Sequence, residues 1–200
     1  MNCIGENSRL DVLEPMEYMA GWPTQDRPAK ARHHVIEVCV KEEIPWINAL
    51  YKTRAEISED VMSSMLWPAS TEGSVQKQVL IIGVIDCQVR NLLAWAKEHH
   101  LVLSSPRTLL AIAEQFPQLP QKIYGDWWTK HPTSLLLGGY YPEEGKTLGV
   151  KWEAVYEKQP GGDETGYWWS TTKCDLSVFF YRLEMRDAVA QHQWIVFESR

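Results

Sequence analysis

Val150-Lys151-Trp152-Glu153-Ala154-Val155-Tyr156-Glu157 is the stretch on which the fold turns. Val150, Trp152, Ala154 and Tyr156 alternate with Lys151, Glu153, Val155 and Glu157, the period of two that sets one face of a strand against a core and the other toward water. Gln159-Pro160-Gly161-Gly162-Asp163 interrupts the pattern, because proline lacks a ladder donor and glycine accepts positive φ. Tyr167-Trp168-Trp169-Ser170-Thr171 then resumes it, which reads as a hairpin. Further out, Leu135-Leu136-Leu137, Leu176 to Leu183 and Trp194 to Phe197 supply strands, with a turn near Arg186-Asp187. The short connections between these five expected strands favour an antiparallel meander.

Upstream of the meander, strands alternate with helices. His33 to Val40 is rich in β-branched residues and reads as a strand. Pro45 suits a helix start, and Ile47, Leu50, Tyr51, Arg54, Ile57, Val61 and Met65 keep a helical stripe toward Trp67-Pro68, with a break near Ser58. Ala69 to Lys77 reads as a polar connection and Val79 to Ile85 as a buried strand. Asp86 is placed to cap a helix with Val89, Leu92, Leu93 and Ala96 on its inner face, and Leu101-Val102-Leu103 is a short extended link. Ser105-Pro106 opens a further helix through Leu109, Leu110, Ala113 and Phe116, which Pro117 stops. The segregation predicts an α+β fold: a mixed strand and helix part packed on a C-terminal, Trp-rich antiparallel sheet. Residues 1–32 read as an irregular arm, 33–120 as the mixed part and 121–200 as the β part, the whole forming one compact unit.

Composition narrows the function classes. A chain of 200 residues with 44% hydrophobic content can bury a core, and a net charge of −6 disfavours a surface built to neutralise phosphates. Cys3, Cys39, Cys87 and Cys174 show neither metal-ligand nor disulfide-framework spacing. The N-terminus lacks a basic and apolar leader, and no apolar run approaches the roughly 20 residues that span a bilayer. These features point to a cytoplasmic protein with no cofactor, no metal and no membrane partner.

Four constellations invite chemistry. Gly139-Tyr140-Tyr141-Pro142-Glu143-Glu144-Gly145-Lys146-Thr147 looks like a phosphate loop, but five residues separate the glycines where the motif needs four. Its lysine leads into a strand pattern, so a hairpin turn explains the glycines better. Cys87 follows Asp86 in the first turn expected after an apolar strand, where free amides depress a thiol pKa; His33, His34, His99 and His100 are the available bases. The bland alternative, a buried cysteine beside a capping aspartate, is favoured. Adjacent histidines diverge on a strand or helix, so each pair offers one ligand to a given site. Glu42-Glu43, Glu143-Glu144 and Asp163-Glu164 read as solvated loop charge.

Tryptophan is the anomaly, with 10 in the chain, and Trp127-Trp128 and Trp168-Trp169 are adjacent pairs. A strand sends one ring of such a pair to each face, where an uncovered indole makes an interface hot spot or a stacking platform. The sequence therefore points to a non-enzymatic protein-binding module. It would be an inhibitor or immunity-type protein that sets an acidic, aromatic surface against a basic partner, with Trp127, Trp128, Trp168 and Trp169 as binding residues and direct nucleic-acid binding disfavoured. The alternatives are a small enzyme around Asp86 and Cys87, and carbohydrate or nucleobase stacking on exposed indoles.

Overall fold

The computed structural model describes residues 31–63, 69–84, 88–120, 133–141, 146–160, 167–182 and 193–199. Their elements run β1 (Ala31–Lys41), α1 (Trp46–Lys52), β2 (Glu56–Ile57), α2 (Glu59–Met62), β3 (Ser74–Val84), α3 (Val89–Glu98), β4 (Leu101–Leu103), α4 (Pro106–Gln115), β5 (Thr133–Tyr141), β6 (Lys146–Pro160), β7 (Tyr167–Arg182) and β8 (Gln193–Ser199). The strands form one sheet in the order β1-β3-β8-β5-β6-β7-β2, with β4 added to β8. Most pairings are antiparallel, while β5 with β8 and β7 with β2 are parallel.

This is the α+β class that the alternation of residues 150–157 implies, and the N-terminal strands β1 and β3 join the C-terminal sheet edge to edge. Val79-Leu80-Ile81-Ile82 shows why the sheet is continuous. All four residues are buried, Val79 and Ile81 in the core under α1, α2 and α4, Leu80 and Ile82 in the core under α3. A strand buried on both faces needs strand neighbours on both edges. On β8, Trp194 and Val196 face the first of these cores and Ile195 and Phe197 the second. Inserting β8 between β3 and β5 thus buries five consecutive residues, Gln193 to Phe197. A simple meander would have left β8 at an edge.

Three sequence expectations shift. The long helix expected from Pro45 divides into α1 and α2 around the two-residue strand β2, with Ser58 at the cap of α2. Met65 and Trp67 of its stripe lie outside the described residues. Ser74 to Lys77, read as connection, is strand: polar residues there still pair with Lys41 to Val38 along the antiparallel register. The expected strands at Tyr167 and Leu176 are one, β7, running through a bulge in which Thr172 is the extra residue opposite Val155 and Tyr156. The helix at Ser105 is as read: the Ser105 hydroxyl accepts from the Thr108 N–H at 3.2 Å, and Pro106 opens the first turn.

Two close approaches lock the layers. A Cβ at Gly138 would lie 2.5 Å from both Leu109 Cδ1 and Ser104 Oγ, so α4 sits directly on the β5 backbone. A Cβ at Gly83 would lie 2.9 Å from the Trp194 ring. At the β1 edge, the Gln115 amide accepts from the Cys39 N–H at 3.1 Å and donates to the Cys39 carbonyl at 2.8 Å. That side chain occupies ladder groups that would otherwise recruit another strand.

Candidate functional site

Three places concentrate polar or aromatic chemistry: the N-terminus of α4, a cleft beside the β2 edge, and the far end of the β6–β7 pair. At the first, Glu198 at the end of β8 accepts from the Ser105 N–H at 3.0 Å and the Thr108 hydroxyl at 2.6 Å. Lys77 on β3 bridges Glu198 at 3.1 Å and Glu42 at 3.5 Å, and Arg107 reaches Glu42 at 3.6 Å while donating to the Ile44 carbonyl at 2.8 Å. Glu42 is therefore no solvated loop charge, as its place in Glu42-Glu43 suggested. Its side chain is 15% exposed, and it accepts contacts from two cations brought from distant parts of the chain. Two carboxylates against two cations leave no net charge, and each is satisfied by a partner, so the cluster ties α4 to the sheet rather than holding a poised acid or base.

The cleft encloses about 900 Å³ and is lined by Lys52, Thr53, Arg54, Glu56, Ala113, Glu114, Pro117, Asp175 and Leu176. Beside it Glu114 pairs with Lys41 at 3.2 Å. The Glu114 hydrogen bond and charge hold the Lys41 ammonium above its ordinary pKa. A raised folded pKa stabilises fully at neutral pH, and that stabilisation is lost only as pH rises through the raised value. Solvent screening keeps the contribution of this exposed pair small.

The third place is a two-stranded ribbon. β6 and β7 pair from Lys146 opposite Arg182 to Pro160 opposite Tyr167. Their neighbours end sooner: β5 reaches β6 only as far as Thr133 opposite Glu153, and β2 covers β7 only at Ser177 and Val178. Ala154–Pro160 and Tyr167–Cys174 thus pair only with each other among the described residues, extending about 20 Å at the rise of a strand. Trp168 and Trp169 lie opposite Gln159 and Lys158 near its tip. The bulge at Thr172 shifts the alternation of β7 by one. At the ribbon's root, the exposed Glu153 and Asp175 stand directly opposite one another, and Lys151 bridges Glu153 at 2.7 Å.

Of the other residues singled out from the sequence, Asp86, Cys87, Trp127 and Trp128 lie outside the described residues. Gln88 occupies the position before α3. His33 and His34 are strand residues opposite Ile82 and Ile81, and the His34 ring tilts against Trp194 at 5.7 Å. His99 ends α3 with Nδ1 2.9 Å from the Trp95 carbonyl, and His100 adopts φ 57° in the left-handed region. Among the described residues no three His, Cys, Asp or Glu side chains group as metal ligands. Gly139 to Tyr141 end β5 and Lys146-Thr147 begin β6, the hairpin arrangement expected of the phosphate-loop lookalike. The Thr147 hydroxyl donates to the Gly138 carbonyl at 2.6 Å. No helix among the described residues is long and apolar enough to cross a membrane. Comparison with protein-family models, with curated proteins and with solved structures gives no match to this chain.

Proposed function

We propose that this chain is a non-enzymatic protein-binding module, of inhibitor or immunity type, whose β6–β7 ribbon is the docking arm for a basic protein. The ribbon's outgrowth beyond β5 and β2 carries the reading. An isolated two-stranded hairpin is marginal in water, and strand edges without neighbours offer rows of donors and acceptors. A pair that outruns its sheet by about seven residues, with Trp168 and Trp169 near the tip, gains stability when a partner covers it.

Charge supports a basic partner. Glu153 and Asp175, both exposed, stand opposite each other at the root, which concentrates acidic charge there beside the Lys151–Glu153 pair. Asp163 and Glu164 lie in the sequence that joins the two strands, and the whole chain carries −6. Long-range steering by such charge speeds encounter, and it disfavours nucleic acid as the direct ligand.

The test is retention of proteins from the native host on immobilised wild-type chain and on a Trp168→Ala/Trp169→Ala variant, at low and high salt. The expected result is a stoichiometric basic protein, retained by the wild type, weakened by salt and lost from a variant that keeps the wild-type circular dichroism. Equal retention by both forms removes the ribbon from the interface. The enzyme reading makes a different demand: Cys87→Ser would abolish an activity while leaving that retention intact.

A further inference from the structure

We propose that the outer edge of β1 is a self-association surface, at which a second copy of this chain adds its own β1 antiparallel to the first about a two-fold axis at Val35. The surface lies at the opposite end of the sheet from β7 and β2, so it stands on observations separate from the docking arm.

Gln115 reveals which way the strand presents its backbone. Its side chain bonds both the N–H and the carbonyl of Cys39, at 3.1 and 2.8 Å, so those two groups point away from β3. In an antiparallel pair such outward groups recur at every second residue, and the register of β1 on β3 runs without a bulge from Ala31 to Lys41. His33, Val35 and Glu37 therefore direct their N–H and carbonyl groups outward too. Among the described residues nothing bonds these groups. Packing holds the strand ready: Ile36 and Val38 are buried in the core under α4, and Val35 packs on the core under α3. A strand fixed before it pairs adds a neighbour at lower conformational cost.

The limits of the edge select a second copy as the occupant. Gln115 closes it at Cys39, β1 begins at Ala31, and Val35 lies midway between them. A two-fold at Val35 sets Val35 against Val35 and Glu37 against His33 in both directions, each opposite pair exchanging both N–H···O bonds. At the next pair, Ala31 against Cys39, the Gln115 side chain of each copy ends the ladder. Charge agrees with this register. The exposed Glu37 comes opposite a histidine, whereas an axis at Glu37 would oppose two carboxylates. So short an interface belongs to the weak, reversible class.

Sedimentation equilibrium of the full chain tests this. The expected result is a reversible monomer–dimer equilibrium with its midpoint between about 10 micromolar and 1 millimolar. The Glu37 N–H makes no bond to β3, so Glu37→Pro removes a donor from the interface and none from the sheet. It should weaken the dimer on the order of tenfold or more, one donor being lost from each copy, while keeping the wild-type circular dichroism. Glu37→Lys, which leaves the backbone intact, should weaken the dimer as well. Gln115→Ala reopens Cys39 and should strengthen it. Mild oxidation should join Val35→Cys into a covalent dimer beyond any the wild type forms, because opposite residues of a bonded pair lie about 5.5 Å apart at Cα. A chain that stays monomeric up to about 1 millimolar overturns the proposal, whether the edge is left open or covered by something else. So does a dimer undiminished in both Glu37→Pro and Glu37→Lys. The Trp168→Ala/Trp169→Ala variant, which tests the docking arm, should dimerise as the wild type does.

Discussion

Between β5 and β2, the β6–β7 pair is held on all sides: Leu148, Val150, Trp152 and Val178 are fully buried beneath helices. Along the same two strands, from Ala154 to Pro160 and from Tyr167 to Cys174, no third strand is paired to them among the described residues. The backbone ladder is continuous through both regions, so hydrogen bonding alone does not distinguish them. What differs is the flanking: the first region lies between β5 and β2, and the second has neither beside it among the described residues. The first region has one arrangement imposed by packing. The second has a ladder with no third strand beside it among the described residues, and it is there that the proposed partner docks.

Core substitutions should mark one side of this contrast most strongly. Trp194, buried against Gly83 and in the core with Ile36 and Leu109, should cost about 3–5 kcal/mol when replaced by alanine, measured by urea denaturation. A loss under about 1 kcal/mol would mean that the central sheet is no better packed than the ribbon. Glu198→Ala strips Ser105, Thr108 and Lys77 of their shared carboxylate and should cost about 1.5–3 kcal/mol by the same assay. Gly138→Ala, with its methyl forced to 2.5 Å from Leu109 and Ser104, should cost about 1–3 kcal/mol. His100→Gly relieves a left-handed residue after α3 and should stabilise by up to about 1 kcal/mol, seen as a higher melting temperature. The smallest effect belongs to the ribbon: Trp168→Ala should move stability by no more than about 0.5 kcal/mol while weakening partner retention.

The contrast also explains what could be read from the residues alone. Alternation at Val150 to Tyr156 and the cap and proline at Ser105-Pro106 are local signals, and local signals are what a sequence displays. The position of β8 was hidden because Trp194 to Phe197 reads as a strand wherever it is placed; only two-sided burial against β3 and β5 puts it inside the sheet. The Glu42, Lys77, Arg107 and Glu198 network was invisible for the same reason, since its members are up to 156 positions apart and each looks like surface charge by itself. Lys77 gave a faint clue, being a long cation inside a run that pairs along β1. The bulge at Thr172 carries no sequence mark beyond Thr171-Thr172, yet it shifts the register of Trp168 and Trp169 against β6 by one residue. The cleft was equally unreadable, because α1, α4 and β7 assemble it from segments more than 50 residues apart.

Native-state hydrogen exchange resolved by residue tests the two-regime sheet most directly. Amides of Val79 to Ile82 and Trp194 to Phe197 should exchange only through global unfolding, and those of Val155 to Gln159 and Trp168 to Thr171 through local opening at far lower free energy. Equal protection in both regions would contradict the account, because it would mean that the ribbon is already covered within its own chain and has no face left to offer a partner.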